Sequence, residues 1–237
     1  MTSPAQAFVF RAVVKAYGAP QPLRISALAF AAGQTAVVRG LDALAAEMFV
    51  HVLTGAALPD EGIVEVFGQR TDAIATDTAW LASLDRFGLV SNRAVLLDQS
   101  TIAQNLALPI TLSIDPMADD VRAQVEQMAR DVGLRPDRLD HLAGTMTPDE
   151  RMRAHLARAL ATRPDVLLLE HPTRTLGEGA AAFGETLRTL SAGRPLGWLA
   201  LSDDETFARA TGAPRWQVDT ATGAVRRGGA WWTRWWR

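Results

Sequence analysis

Residues 156–173 read Leu-Ala-Arg-Ala-Leu-Ala-Thr-Arg-Pro-Asp-Val-Leu-Leu-Leu-Glu-His-Pro-Thr, and this stretch decides the fold. Its first part continues an arginine-containing helical pattern, which Arg-Pro-Asp ends because proline cannot extend a helix. Four consecutive apolar residues follow, and such a run is typical of a strand buried on both faces. An acidic residue then ends the strand. A helix that leads directly into a buried strand indicates an α/β fold.

Strand and helix patterns alternate along most of the chain. Short apolar or alternating runs predict strands, and apolar residues spaced three or four apart predict helices. Strands separated by helices imply a mainly parallel sheet that is covered on both faces. We predict strands at residues 8–14, 23–30, 35–39, 62–68, 165–169 and 198–201, helices at residues 44–53, 102–108, 121–132, 147–161 and 180–190, and a final hairpin at residues 215–225.

The stretch of helices between two of these strands interrupts the alternation. We therefore predict a single domain over residues 1–237, with a core at about residues 1–90 and 155–227. An inserted helical subdomain is expected at about residues 91–154, and residues 228–237 form a tail rich in Trp and Arg.

The composition is that of an ordinary globular protein. Hydrophobic residues make up 48% and charged residues 21% of the 237 residues, and the formal net charge is −2. A small net negative charge does not indicate binding of nucleic acid. The absence of cysteine excludes disulfides and thiolate metal sites. We find no secretory signal and no apolar run near the roughly 20 residues that span a bilayer. The expected location is the cytoplasm.

A loop with the spacing of a phosphate-binding P-loop follows the strand predicted at residues 35–39. A P-loop needs Gly-x-x-x-x-Gly-Lys-Ser/Thr: the glycines let backbone amides wrap the phosphates, the lysine neutralises charge, and the hydroxyl holds Mg²⁺. Here Gly40 keeps the first glycine, but Ala45, Ala46 and Glu47 replace the second glycine, the lysine and the hydroxyl residue, and Met48 follows. Glu47 would repel a triphosphate near the start of a helix. The alternative is that Gly40 only ends a strand before a structural helix.

The order of these pieces resembles the nucleotide-binding subunits of ATP-binding cassette (ABC) transporters. Residues 156–173 are similar to the family's signature helix and Walker B strand, residues 40–55 to its P-loop region, and residues 101–109 to the segment after its Q-loop. The likeness extends over about residues 6–227 in the correct order. It implies a P-loop NTPase-like α/β cassette with a mixed or parallel sheet core and an inserted helical subdomain.

The resemblance also places residues at nucleotide-binding positions. Tyr17, the only tyrosine, stands where the family stacks an aromatic ring on adenine, although a lone aromatic residue near a turn is also commonly a packing residue. Asn92 stands in the place of the Q-loop glutamine and is one methylene shorter. The implied vestigial ATP site comprises Tyr17, Gly40, Ala45, Ala46, Glu47, Met48 and Asn92.

The positions that the family uses for hydrolysis carry other residue types. Glu170 and His171 stand in place of the Walker B Asp-Glu pair, and Ser202 in place of the switch histidine. His171 could in principle act as a base, but we assign these three only as vestigial catalytic positions and assign no metal ligand. The signature glycines are also absent, and Thr147 with Glu150 instead forms the capping box of an ordinary helix start.

The leading hypothesis is a degenerate nucleotide-binding subunit of an ABC transporter, with weak or absent binding of ATP and Mg²⁺. The resemblance implies a membrane permease and a second cassette subunit as partners, and a location peripheral to the inner membrane through those partners. One alternative is a regulatory or binding module outside transport that has reused the fold. Another is a weak ATPase, which would need Tyr17 and the Gly40 loop to bind nucleotide.

The C-terminal tail has the most unusual composition of any segment in the chain. Residues 231–237 read Trp-Trp-Thr-Arg-Trp-Trp-Arg, from Trp231 to Arg237. Trp and Arg together favour a contact with a partner or a membrane interface. The alternative is a tail that folds back on its own domain. Stacking on nucleic acid is disfavoured because no wider basic patch accompanies the tail.

Overall fold

The computed structural model describes residues 5–228, and its first strands form an antiparallel sheet. Strands β1 (Gln6–Lys15) and β2 (Leu23–Ala31) pair antiparallel, because the short connection between them cannot make a parallel crossover. The other edge of β1 pairs with β4 (Glu61–Val66), which pairs with β5 (Gln69–Arg70). The strand order is β2-β1-β4-β5. The sequence did not predict this separate sheet.

A second, six-stranded sheet contains the strands expected to be parallel. Its order is β10-β9-β3-β8-β7-β6, and every pair is parallel except the hairpin β9–β10. The predicted alternation and the final hairpin are therefore confirmed. The strands are β3 (Thr35–Arg39), β6 (Phe87–Ser91), β7 (Val166–Glu170), β8 (Gly197–Leu201), β9 (Arg215–Val218) and β10 (Val225–Gly228).

Seven α-helices lie in the described part of the chain. Two of them, α2 and α7, were not predicted: α2 buries none of its residues, so it lacks the buried apolar stripe that a periodic pattern reveals, and α7 is only 7 residues long. The helices are α1 (Ala43–Leu53), α2 (Asp77–Leu84), α3 (Ile102–Ala107), α4 (Asp119–Val132), α5 (Pro148–Ala161), α6 (Ala180–Ala192) and α7 (Glu205–Thr211).

The central strands β7 and β8 of the six-stranded sheet are buried on both faces, as their sequence predicted. In β7, Leu167 and Leu169 pack with one core cluster, which includes residues of α4, α5 and α6. Val166 and Leu168 point to the other cluster, which includes residues of α1 and of the antiparallel sheet. This alternation follows from the two-residue period of a strand. The antiparallel sheet and α1 thus supply one cover of the central sheet.

The capping box predicted at the start of α5 is present. The Thr147 hydroxyl accepts a hydrogen bond from the Glu150 amide at 3.2 Å, and the Glu150 carboxylate accepts one from the Thr147 amide at 2.9 Å. This helix start therefore satisfies its own free amides.

The division into core and helical subdomain stays a prediction, although α3 and α4 do lie in the proposed insertion. Within residues 5–228, none of the helices is both long and apolar enough to cross a membrane. The Trp- and Arg-rich segment from Trp231 to Arg237 lies outside the described residues.

Candidate functional site

The carboxyl ends of the parallel strands bring most of the predicted site residues to one edge of the sheet. Gly40 follows β3, Asn92 follows β6, Ser202 follows β8, and Glu170 is the last residue of β7. Ser91 pairs with Glu170, which in turn pairs with Leu201. Residues far apart in sequence therefore share this edge because parallel strands end on the same side of a sheet.

Gly40 has a conformation that only glycine adopts readily. Its φ is +87°, and an added Cβ would overlap the backbone carbonyl of Val218 and the side chain of Gln217. Its amide donates a hydrogen bond of 2.9 Å to the Asp203 carboxylate. The glycine is thus required by the close approach of β9, and its amide already has a partner within the protein.

A free amide in the first turn of α1 also has a hydrogen-bond partner within the protein. The Asp42 carboxylate caps this helix and accepts a hydrogen bond of 2.8 Å from the Ala45 amide. Ala45 and Ala46 are buried, and Met48 is partly buried against the same core cluster. Negative charge therefore already occupies the helix end that would attract an anion.

Glu47 and Glu170 both pair with one arginine, Arg93, which the sequence did not predict as a site residue. The Arg93 guanidinium donates to the Glu170 carboxylate at 2.6 Å through Nη2 and pairs with the Glu47 carboxylate through Nη1. Glu170 is only 7% exposed. The hydrogen bond that Arg93 donates to Glu170 is the main cause that raises the pKa of Arg93. In the sequence Arg93 directly follows Asn92, but it lies 46 and 77 residues from Glu47 and Glu170, so no local pattern connects them.

The other three predicted residues contact each other and neighbouring loops. The Asn92 side chain donates to the His171 carbonyl at 3.2 Å, and the His171 amide donates to the Leu201 carbonyl at 2.9 Å. The Ser202 and Thr173 hydroxyls lie 3.1 Å apart. His171 has a φ of +42°, and its Nε2 is buried without a hydrogen-bond partner. These contacts hold the Asn92 side chain, the His171 backbone and the Ser202 hydroxyl against neighbouring loops.

Tyr17 lies apart from that cluster, on a pocket of about 370 Å³ that also reaches the Gly40 loop. Besides Tyr17 and Gly40, the pocket is lined by Arg24, Asp42 and Ala45. Burial, and to a lesser extent the nearby Asp42 charge, raises the pKa of Tyr17. The structure therefore groups Tyr17, Gly40 and Ala45 around one open pocket, and groups Glu47, Asn92, Glu170 and His171 in a filled region beyond it.

No set of three or more carboxylate, histidine or cysteine side chains among residues 5–228 is arranged to hold a metal ion. The two acidic residues nearest the P-loop-like turn, Glu47 and Glu170, already share a guanidinium. In the described part of the chain, no side-chain cluster therefore fits a divalent cation by itself.

The two sheets, the edge loops and the helix after β3 define a P-loop NTPase-like cassette. A family model described as ABC transporter matches residues 28–174, and the chain belongs to that family. It is 32% identical over 184 residues to the lipoprotein-releasing system ATP-binding protein LolD of Acinetobacter baylyi, with 77% of this chain and 80% of that protein covered.

Solved structures agree on the fold. The post-hydrolysis dimer of the ATP-binding cassette MJ0796 with ADP and phosphate superposes with a TM-score of 0.74 at 17% identity, covering 93% of this chain and 98% of that one. CbiO1 of Clostridium perfringens, described as part of the ABC transporter complex cbiONQ, gives a TM-score of 0.75 at 14% identity, covering 94% and 88%. Because these identities are low, the two likenesses establish the fold alone.

Proposed function

We propose that this chain is an ABC transporter nucleotide-binding subunit whose own ATP site hydrolyses little or no ATP. The observation that carries the proposal is the first turn of α1. Asp42 caps that turn, Ala46 is fully buried where the family resemblance expects a lysine, and Glu47 adds a second carboxylate. A triphosphate placed there would meet negative charge and would lack its counter-charge.

ATP and Mg²⁺ fit this site poorly. The resemblance assigns metal-binding positions to Glu47 and Glu170, and both carboxylates are already engaged by Arg93. Losing one charge-assisted contact weakens binding by about 1.5–3 kcal/mol, which corresponds to roughly tenfold to a hundredfold. We therefore infer that nucleotide binding is weak, and that His171 and Ser202 do not support turnover.

We infer a membrane permease and a second cassette subunit as partners, so that the chain would be peripheral to the inner membrane. Support comes from the relatives: the Acinetobacter protein is named for a lipoprotein-releasing system, and CbiO1 is part of a transporter complex. Exposed apolar side chains also offer a partner surface: Val95 is 74%, Leu97 46% and Leu142 45% exposed. The tail between Trp231 and Arg237 is a second proposed contact with a partner or membrane.

The open pocket beside Tyr17 favours a second candidate, a weak ATPase or a nucleotide-sensing regulatory module. This candidate requires a ligand to bind through the Tyr17 side of the site without strong phosphate contacts. Neighbouring genes for a permease and an intact cassette would favour the transporter subunit over a module outside transport.

Calorimetric titration with Mg-ATP tests the leading proposal. We expect millimolar or unsaturated binding by the wild-type chain, and about tenfold tighter binding by Glu47→Ser, which removes a carboxylate near the phosphates. Glu61→Ser, at the exposed start of β4, is the matched control and should leave affinity unchanged. Micromolar binding by the wild-type chain would overturn the proposal.

A further inference from the structure

The loop that follows β6 is tied to the core through the side chain of Arg93. Its guanidinium contacts Glu47, which lies on α1, and Glu170, which ends β7. The Arg93 amide also donates to the Ser91 hydroxyl at 3.1 Å. One residue thus links three elements that are remote in sequence.

The same loop is tied to the helices on its other side. The Arg158 guanidinium of α5 donates to the Val95 carbonyl at 2.7 Å. Leu97 exchanges two hydrogen bonds with the buried Asn105 side chain of α3, at 2.8 and 3.0 Å. The loop therefore connects the strand edge with α3 and α5, and it carries the exposed apolar side chains of Val95 and Leu97.

Charge makes the Arg93 contact more than an ordinary surface ion pair. Glu170 is 7% exposed, so its carboxylate loses much of its hydration and needs a counter-charge. Glu47 brings a second carboxylate to the same guanidinium. A planar guanidinium can donate to two carboxylates at once from separate nitrogens, whereas an ammonium offers a single centre of charge.

We propose that Arg93 is a positioning residue whose guanidinium serves as a built-in cation, holding loop 92–97 against α1 and β7 without metal or nucleotide. The position of Val95 and Leu97 is then set by the protein alone. In a partner complex this chain would present that surface permanently, independently of any nucleotide cycle. The inference stands whether or not the chain hydrolyses ATP, since it depends only on contacts within the chain.

Hydrogen–deuterium exchange of the full chain, without nucleotide, tests this inference. The Ala94 amide donates to the Ser91 carbonyl and the Leu97 amide to the Asn105 side chain of α3, so both amides report on opening of the loop. We expect Arg93→Ala to speed their exchange about tenfold, with the amides of α4 unchanged. Arg93→Lys keeps the positive charge but loses the separate guanidinium nitrogens that contact the two carboxylates. It should therefore keep only part of the exchange protection of the loop amides.

Arg86→Ala is the matched control. Arg86 pairs with Asp165 at 2.6 Å near the opposite ends of the same two strands, and its loss should leave loop exchange unchanged. The double variant Glu47→Gln/Glu170→Gln removes the carboxylates while leaving no buried charge unpaired, and it should open the loop as Arg93→Ala does. It therefore serves as the test if Arg93→Ala does not fold.

Unchanged exchange at Ala94 and Leu97 in both the arginine and the glutamine variants would overturn the inference. So would wild-type exchange that slows tenfold when Mg-ATP is added, because the loop would then be under nucleotide control. The proposed function fails on a different result, namely tight ATP binding or turnover, and loop exchange without nucleotide does not depend on either.

Discussion

The Tyr17 pocket and the Arg93 bridge both border the start of α1, since Ala45 lines the pocket and Glu47 pairs with Arg93, and they differ in what fills them. The Tyr17 side is an open pocket of about 370 Å³. The Arg93 side is closed by a guanidinium between two carboxylates, one of which is buried. On the function proposed above, the open side leaves space for a flat group, whereas the protein's own charges take the places of phosphate and metal. Four predictions follow from this contrast, in order of decreasing effect.

Gly40 lines the Tyr17 pocket, and its substitution should have the largest effect on stability. Gly40→Ala combines a φ of +87° with overlap against the Val218 carbonyl, so we expect a loss of about 3–4 kcal/mol in the free energy of unfolding. Gly68→Ala is the control, since Gly68 has a φ of +84° but open space around its Cα. It should cost about 1 kcal/mol. Equal losses in urea denaturation would contradict the close packing at Gly40.

Arg93→Ala tests the filled region directly. Removing one partner of a buried ion pair costs about 3–5 kcal/mol. Because Arg93 is partly exposed, solvent screening reduces this cost. We expect urea denaturation to show a loss of about 2–3 kcal/mol in the free energy of unfolding. Arg70→Ala breaks an exposed pair of the same length, with Asp72, and should cost less than about 1 kcal/mol. If the two variants lose equal stability, the bridge is only another surface contact.

The pH dependence of stability near neutrality should come from α5 and not from either side of the site. Burial, with the charges of Arg158 and Arg151, lowers the pKa of His155 from 6.5 to about 4. Between these values the unfolded chain binds a proton that the folded chain does not. Stability is therefore complete above about pH 6.5 and falls as the pH drops towards 4, with a loss of about 2 kcal/mol already at pH 5.

His155→Gln should flatten that dependence between pH 6.5 and 5 in chemical denaturation. His141→Gln replaces an exposed histidine and should leave the slope as it is. A slope that persists in His155→Gln would assign the titration to another group.

Tyr17→Ala tests the open pocket and should have the smallest effect. Stacking of a base on an aromatic ring contributes about 1–3 kcal/mol, and the partial exposure of Tyr17 suggests the lower end, or about a fivefold loss of affinity for adenosine. Tyr17→Phe should bind as the wild type does. We further expect ATP to bind no more tightly than adenosine in competition calorimetry. A clear advantage for ATP would mean that the phosphate side is still open.

The sequence predicted most strands of the central sheet because that information is local and repetitive. The apolar run at residues 166–169 and the glycine after β3 have few alternative structures. Likewise, the capping box at Thr147 and Glu150 is a matter of spacing within one turn. The prediction that Ala45, Ala46 and Glu47 replace P-loop residues likewise comes from a pattern with fixed intervals.

What the sequence could not supply was the set of long-range contacts. Arg93 is 46 residues from Glu47 and 77 from Glu170, and no periodic pattern connects such positions. The separate antiparallel sheet was missed for a related reason, since the pairing of β1 with β4 is also long-range. Helix α2 was missed because its residues are not buried and leave no apolar stripe.

In the proposed function, the protein's own charges have taken the place of phosphate and metal. Steady-state phosphate release by the purified chain at saturating Mg-ATP tests that claim directly. We expect no release above that of a protein-free blank. Release at about 1 s⁻¹ or faster, the lower end of ordinary enzyme turnover, that is lost in Tyr17→Ala would contradict the account.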